Sequence, residues 1–161
     1  MYLLDANVFI QSHRAHYGLD FVPGFWEWID VSFAAGTLES IHPIAVEIAA
    51  GHDDLSEWAA ASSHLFVPMD AACAPSLSAI STWVNGASYT PGAVAEFLSV
   101  ADYQLVAFAR THGHTVVTME RSEPQRKSKV KIPDVCNAHG ITWTTPFQML
   151  RDERASLVLG P

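Results

Sequence analysis

Five carboxylates are the candidates for chemistry in this chain. Asp5 interrupts the apolar run "MYLLDANVFI". Glu47 is the only charge between Glu39 and Asp53, in "SIHPIAVEIAAGH", where the histidines are counted neutral. A helix glutamate normally has a Lys or Arg three or four positions away, but Glu47 has Pro43, Ile44, Ala50 and Gly51 there. Asp102 stands near the start of "SVADYQLVAFARTHG", Glu120 follows "TVVTM", and Asp134 follows Pro133. Asp102 also has a structural reading, because Ser99 three residues earlier suggests a capping box. For Asp134, a carboxylate at a helix start is an equally good account.

Brought together, such acids repel one another and raise their own pKa values. The chain offers them few basic partners. Arg14 is the only Lys or Arg before residue 110, against twelve carboxylates over the same stretch. A divalent cation resolves the conflict. Mg²⁺ and Mn²⁺ take oxygen ligands from a few carboxylates and keep several waters. Such a centre suits phosphodiester hydrolysis, where the metal activates water and neutralises phosphate charge. The net charge of −8 hides one basic segment, "RSEPQRKSKVK", with Arg121, Arg126, Lys127, Lys129 and Lys131. It is either a solvated surface loop or a local contact for a polyanion.

These residues need elements to position them. Short apolar stretches, "YLLD", "SIH" (40–42), "HLFVPM" (64–69), "TVVTM" and "ITW", read as strands. Between them, 7–16, 23–36, the segment from Pro43 to Gly51, "DDLSEWAAASS", 70–84, 99–113, 132–140 and "TPFQMLRDE" read as helices, with "NGASYTPG" (85–92) as a turn-rich connection. Alternating strands and helices predict an α/β fold, a three-layer α/β/α sandwich with a central, mostly parallel sheet. Ligands in such sheets bind beyond the carboxyl ends of the strands, where strand order reverses. Asp5 and Glu120 each follow a strand at that end. A single domain over 1–152 with a tail at 153–161 is expected.

In order, "YLLDANVFI", "IHPIAVEIAAG" and "SVADYQLVAFARTHGHTVVTME" resemble the PIN domain, the nuclease fold of VapC-type toxins. The segments "PGFWEWI" and "VKIPDVC" resemble a less studied PIN-like branch. The resemblance covers nearly the whole chain and implies a Rossmann-like fold with metal-dependent ribonuclease activity. It matches Asp5, Glu47 and Asp102 to the family's first three acids. The fourth is usually Asp, and here Glu120 stands in its place, with Asp134 as the alternative. The implied mechanism is in-line attack of a metal-activated water on an RNA phosphodiester, at one Mg²⁺ or Mn²⁺ on the first three acids and a second assisted by the fourth. Asn7 and Thr118 would support the ligands from behind. The basic segment would contact backbone phosphates. An antitoxin partner, as in a type II toxin–antitoxin pair, and a homodimer also follow from the resemblance. The competing expectation is a catalytically silent PIN-like module that binds RNA or protein.

Other features point to no separate chemistry. A haloacid-dehalogenase-type phosphatase would need a second Asp where Asn7 stands. Eight histidines show no HExxH or Cys/His zinc pattern, so His13, His16, His112 and His114 read as surface or capping residues. Cys73 and Cys136 lack a metal spacing and read as reduced, half-buried thiols. Phe21, Phe25, Trp26 and Trp28 could stack bases, but core packing or an interface is the better reading. No apolar run reaches the roughly 20 residues of a membrane span, and the N-terminus lacks the flank of a signal peptide. A cytoplasmic protein is expected.

Overall fold

Strand β1 (Tyr2–Leu4) buries both Leu3 and Leu4 completely. Successive strand residues face opposite sides of a sheet, so this strand is covered on both. Val116 and Val117 of β4 (Thr115–Val117) are buried in the same way. With β2 (Leu38–Ile41), β3 (Phe66–Val67) and β5 (Trp143–Thr144), these strands form one sheet of order β3-β2-β1-β4-β5, parallel throughout. Leu3 lies in register with Glu39 on one side and Val116 on the other. The computed structural model describes residues 1–157.

Nine α-helices flank the sheet among the described residues, giving the expected α/β/α sandwich. They are α1 (Ala6–Gln11), α2 (Pro23–Ala34), α3 (His42–Ala49), α4 (Asp54–Ala61), α5 (Ala74–Gly86), α6 (Pro91–Ser99), α7 (Ala101–His112), α8 (Ile132–His139) and α9 (Pro146–Asp152). Proline at one of the first two positions starts α2, α3, α5, α6, α8 and α9, where its missing N–H is harmless. Gly113 and Gly140 close α7 and α8 with φ of 71° and 65°, left-handed values that favour glycine. None of these helices alone is long and apolar enough to cross a membrane.

The topology makes a site. The chain runs outward from β1 through β2 to β3, then returns to lay β4 on the other side of β1. Strand order therefore reverses between β1 and β4, and a crevice opens beyond their carboxyl ends.

Several local expectations need correction. The connection 85–92 holds the start of a helix, α6. Thr90 caps it by accepting from the Ala93 amide at 3.3 Å, and Pro91 begins it. Thr-Pro-Gly serves a helix start as well as it serves a turn. There is no capping box at Ser99. Its hydroxyl donates to the Glu96 carbonyl (2.7 Å), and Val100 is the N-cap of α7. A bend of 69° separates α6 from α7. The first helix turns at Ser12 into a wider π-type coil through His16. The expected helix over 70–84 begins as a 3₁₀ turn, Ala71–Cys73, before α5. Strand β3 is shorter than 64–69, because Ser63–Leu65 form a 3₁₀ turn. Cys73 and Cys136 are fully buried and free. Phe25 and Trp26 belong to the core, with Trp28 packed beside them, whereas Phe21 is exposed. Of the expected tail, residues 158–161 lie outside the described residues.

Candidate functional site

Asp5 stands one residue past β1 and is the N-cap of α1. Its backbone N–H donates to the Val117 carbonyl at 3.0 Å, which continues the β1–β4 ladder and fixes the residue at the crevice. Its side chain is 0% exposed. The Thr118 hydroxyl donates to Asp5 Oδ2 (2.9 Å) and accepts from the Glu120 N–H (3.1 Å). Asp5 Oδ1 has no hydrogen-bond partner, an arrangement that buried polar groups rarely tolerate.

Beside this buried acid the helices bring further groups to one cavity of about 180 Å³, which Asp5 itself does not line. Asn7 comes from the first turn of α1, Glu47 from the last turn of α3 and Asp102 from the first turn of α7. Glu120, Lys129 and Val130 close the other side. Burial first, and then the charge of neighbouring acids, raises the pKa values of Asp5 and Asp102. Burial pushes Asp5 up to about 7, helped by the charges of Glu120 and Glu47 and opposed by the Thr118 hydroxyl and the Asn7 backbone N–H. Burial pushes Asp102 up to about 8, with Asp5, Glu120 and Glu47 adding to the rise and Lys129 opposing it. Glu47 stands on the open side, yet desolvation raises it too.

Glu120 and Asp134 are differently placed. Lys131 Nζ donates to Glu120 Oε1 at 2.7 Å and the Ile132 N–H donates to Oε2 at 2.9 Å, so both oxygens are engaged. Asp134 is buried and does not line the cavity. It accepts from the Ser122 hydroxyl (2.5 Å) and the Glu123 N–H (3.0 Å). The two acids form a crossed clasp at the neck of the basic segment. Glu120, just before it, holds its end, and Asp134, just after it, holds its beginning.

The basic segment is accordingly a fastened strap, not an open patch. Lys127 lies 4.7 Å over the Tyr89 ring, and its carbonyl accepts from the Thr90 N–H at 2.9 Å. Lys129 reaches Glu96 across 3.9 Å at the cavity rim. Arg126 pairs with Glu123 at 3.3 Å, and Arg121 is exposed. Glu96 and the wall that Ala93 and Phe97 supply were not legible in the sequence, because they belong to α6. The Thr90–Pro91 start signal was the clue to them.

Asp5, Glu47 and Asp102 thus meet with no hydrogen bond or ion pair from a basic side chain among the described residues. Their donors are all oxygen, one of them a buried, unpartnered carboxylate atom. That set fits a hard divalent cation such as Mg²⁺ or Mn²⁺. Lys131 supplies a fixed positive charge on the Glu120 side.

Residues 2–157 match the family model described as Domain of unknown function (DUF4411), and the chain belongs to that family. A comparison with curated proteins finds no match.

Proposed function

We propose that the protein is a metal-dependent endoribonuclease of PIN-like type. The observation that carries this reading is the meeting of Asp5, Glu47 and Asp102 at the strand-order reversal, with raised pKa values and an unpartnered Asp5 Oδ1. Asp5, Glu47 and Asp102 would hold a Mg²⁺ or Mn²⁺ ion. That ion supplies Lewis-acid polarisation of the phosphate and a lowered pKa for water. Thr118 fixes the Asp5 carboxylate through Oδ2, and Oδ1, buried without a partner, is the atom that would bind the ion once the site opens to it. Lys129, at the rim, stands ready to meet a phosphate, and Asn7 offers an amide to the same cavity. Arg121 and Arg126 present their charge to solvent, where an RNA backbone would approach.

The activity fits the toxin of a toxin–antitoxin pair, acting on cytoplasmic RNA as a homodimer under the control of an antitoxin. The resemblance of the ordered motifs to VapC-type toxins supports this finer reading. The competing reading is a silent RNA- or protein-binding module, favoured by the engagement of Glu120 with Lys131. One experiment separates them. Purified protein is incubated with single-stranded RNA and Mn²⁺ or Mg²⁺, with and without EDTA, beside the Asp5→Asn variant. The nuclease reading expects cleavage that EDTA and the substitution both abolish. Binding without cleavage at any metal concentration would favour the silent module.

A further inference from the structure

The far end of α7 carries a second cluster of metal-ligating atoms. Asp70 and Cys73 flank a single 3₁₀ turn, Ala71–Cys73, and His112 ends α7. Cys73 Sγ lies 3.5 Å from Asp70 Oδ1 and 4.0 Å from His112 Nε2, and His112 Nε2 lies 3.1 Å from Asp70 Oδ2. In a tetrahedral zinc site, bonds of about 2.3 Å to sulfur and about 2.0–2.1 Å to nitrogen or oxygen leave ligand atoms about 3.3–3.6 Å apart. The 3.5 Å and 3.1 Å approaches are made by the two different oxygens of Asp70; taken with one ligand atom from each residue, the three atoms lie within 4.8 Å of one another, so the side chains would have to draw together to close on one ion.

The cluster is held in place on both sides. The Thr111 hydroxyl donates to the Ala107 carbonyl (2.9 Å) and accepts from the Ser76 hydroxyl (2.8 Å), which ties the end of α7 to the start of α5. The His112 ring packs against Phe108 at 4.3 Å between centroids. Cys73 forms a buried floor, while Asp70 and His112 remain open to solvent. The chain spacing conceals this arrangement, since 39 residues separate Cys73 from His112.

We propose that Asp70, Cys73 and His112 form a second metal site, for a borderline-soft transition ion such as Zn²⁺, with a fourth position open to solvent. It is chemically distinct from the carboxylate centre. Thiolate and imidazole select zinc-like ions, whereas an all-oxygen set selects Mg²⁺ or Mn²⁺. It is also separate in space: Asp102 and His112 occupy opposite ends of α7, about 15 Å apart along the axis at a rise of about 1.5 Å per residue. A bound ion would link the start of α5 to the end of α7, so it would stabilise the fold whether or not the protein cleaves RNA.

The test uses the full chain, stripped of metal and titrated with Co²⁺ under reducing conditions. A thiolate-to-cobalt charge-transfer band with tetrahedral d–d bands should saturate at one equivalent, and Zn²⁺ should bleach it. Cys73→Ser and His112→Gln should abolish the band, while Asp5→Asn and Cys136→Ser should keep it. Zn²⁺ should raise the melting temperature of the wild type and leave that of His112→Gln unchanged. The exposed position of His112 keeps this variant informative if Cys73→Ser fails to fold. An absent band in the wild type, or one that persists in Cys73→Ser or His112→Gln, would overturn the assignment.

Discussion

Lys131 Nζ lies 2.7 Å from Glu120 Oε1, and their side chains are only 13% and 12% exposed. The pair places a largely buried positive charge behind the Glu120 wall of a cavity that carries Lys129 at its rim. It gives Glu120 a basic partner, and leaves Asp5, Glu47 and Asp102 without a hydrogen bond or ion pair from one among the described residues.

Removing one member of this pair should be costly. Lys131→Met strands a desolvated carboxylate, and we expect a loss of about 2–4 kcal/mol. That corresponds to about 5–15 °C in melting temperature for a chain of this size. The double variant Lys131→Met/Glu120→Gln should recover much of the loss, because it removes the uncompensated charge. Thermal denaturation of the single and double variants checks both expectations.

The metal-free protein should lose stability as pH rises from about 4 to about 8. Asp5 and Asp102 titrate at about 7 and about 8 in the fold, against about 3.9 unfolded. Within that window the folded chain binds more protons than the unfolded chain, so stability falls with rising pH and the loss is complete above the folded values. Asp5→Asn should flatten the dependence. Added Mn²⁺ or Mg²⁺ should stabilise more at pH 8 than at pH 6. Denaturant titrations across pH, with and without metal, measure the effect.

Asp5→Asn should separate stability from activity. It removes a charge that is expensive to bury, so the metal-free variant should melt at or above the wild-type temperature. RNA cleavage should fall by at least about 100-fold, since the lost ligand is central to the site. A parallel melting curve and cleavage assay reports both.

Thr118→Val should act through Asp5. It leaves Oδ2 without its donor and raises the Asp5 pKa further, since the hydroxyl now lowers it. Metal affinity should weaken by about 10–100-fold, while Thr118→Ser, which keeps the hydroxyl, should restore most of it. Isothermal titration with Mn²⁺ distinguishes the two.

Positive charges on the strap should divide into two kinds. Arg121→Glu and Arg126→Glu should weaken RNA binding and reduce the salt dependence by about one counterion each, with the fold intact. Lys127→Glu should in addition loosen the strap, because it removes the contact with Tyr89. Binding measured over a range of salt concentrations, beside limited proteolysis, reports the difference.

Much of this arrangement is legible in the sequence, for physical reasons. Asp5 and Glu47 stand out because each interrupts an apolar stretch with no basic partner nearby, and a parallel sheet places strand ends together. The sequence places Thr118 beside Glu120, whereas its bond to Asp5 arises because β4 pairs with β1. Other features resist reading. The pairing of Lys131 with Glu120 depends on how an eleven-residue segment folds back. Helix α6 hides behind a Thr-Pro-Gly that also describes a turn. Asp70, Cys73 and His112 meet only because α5 packs on α7.

The crossed clasp of Glu120 and Asp134 has a consequence for how this protein can diversify. Both limbs of the strap are fixed at its neck by the folded body, and the exposed tip, residues 124–126, lies outside the cavity that Lys129 and Val130 line. Lengthening such a tip costs little, about 0.6 kcal/mol for each doubling of a flexible loop. The tip is therefore an exchangeable cassette. Its length can change while Lys129 and Val130 keep their places at the carboxylate centre beneath.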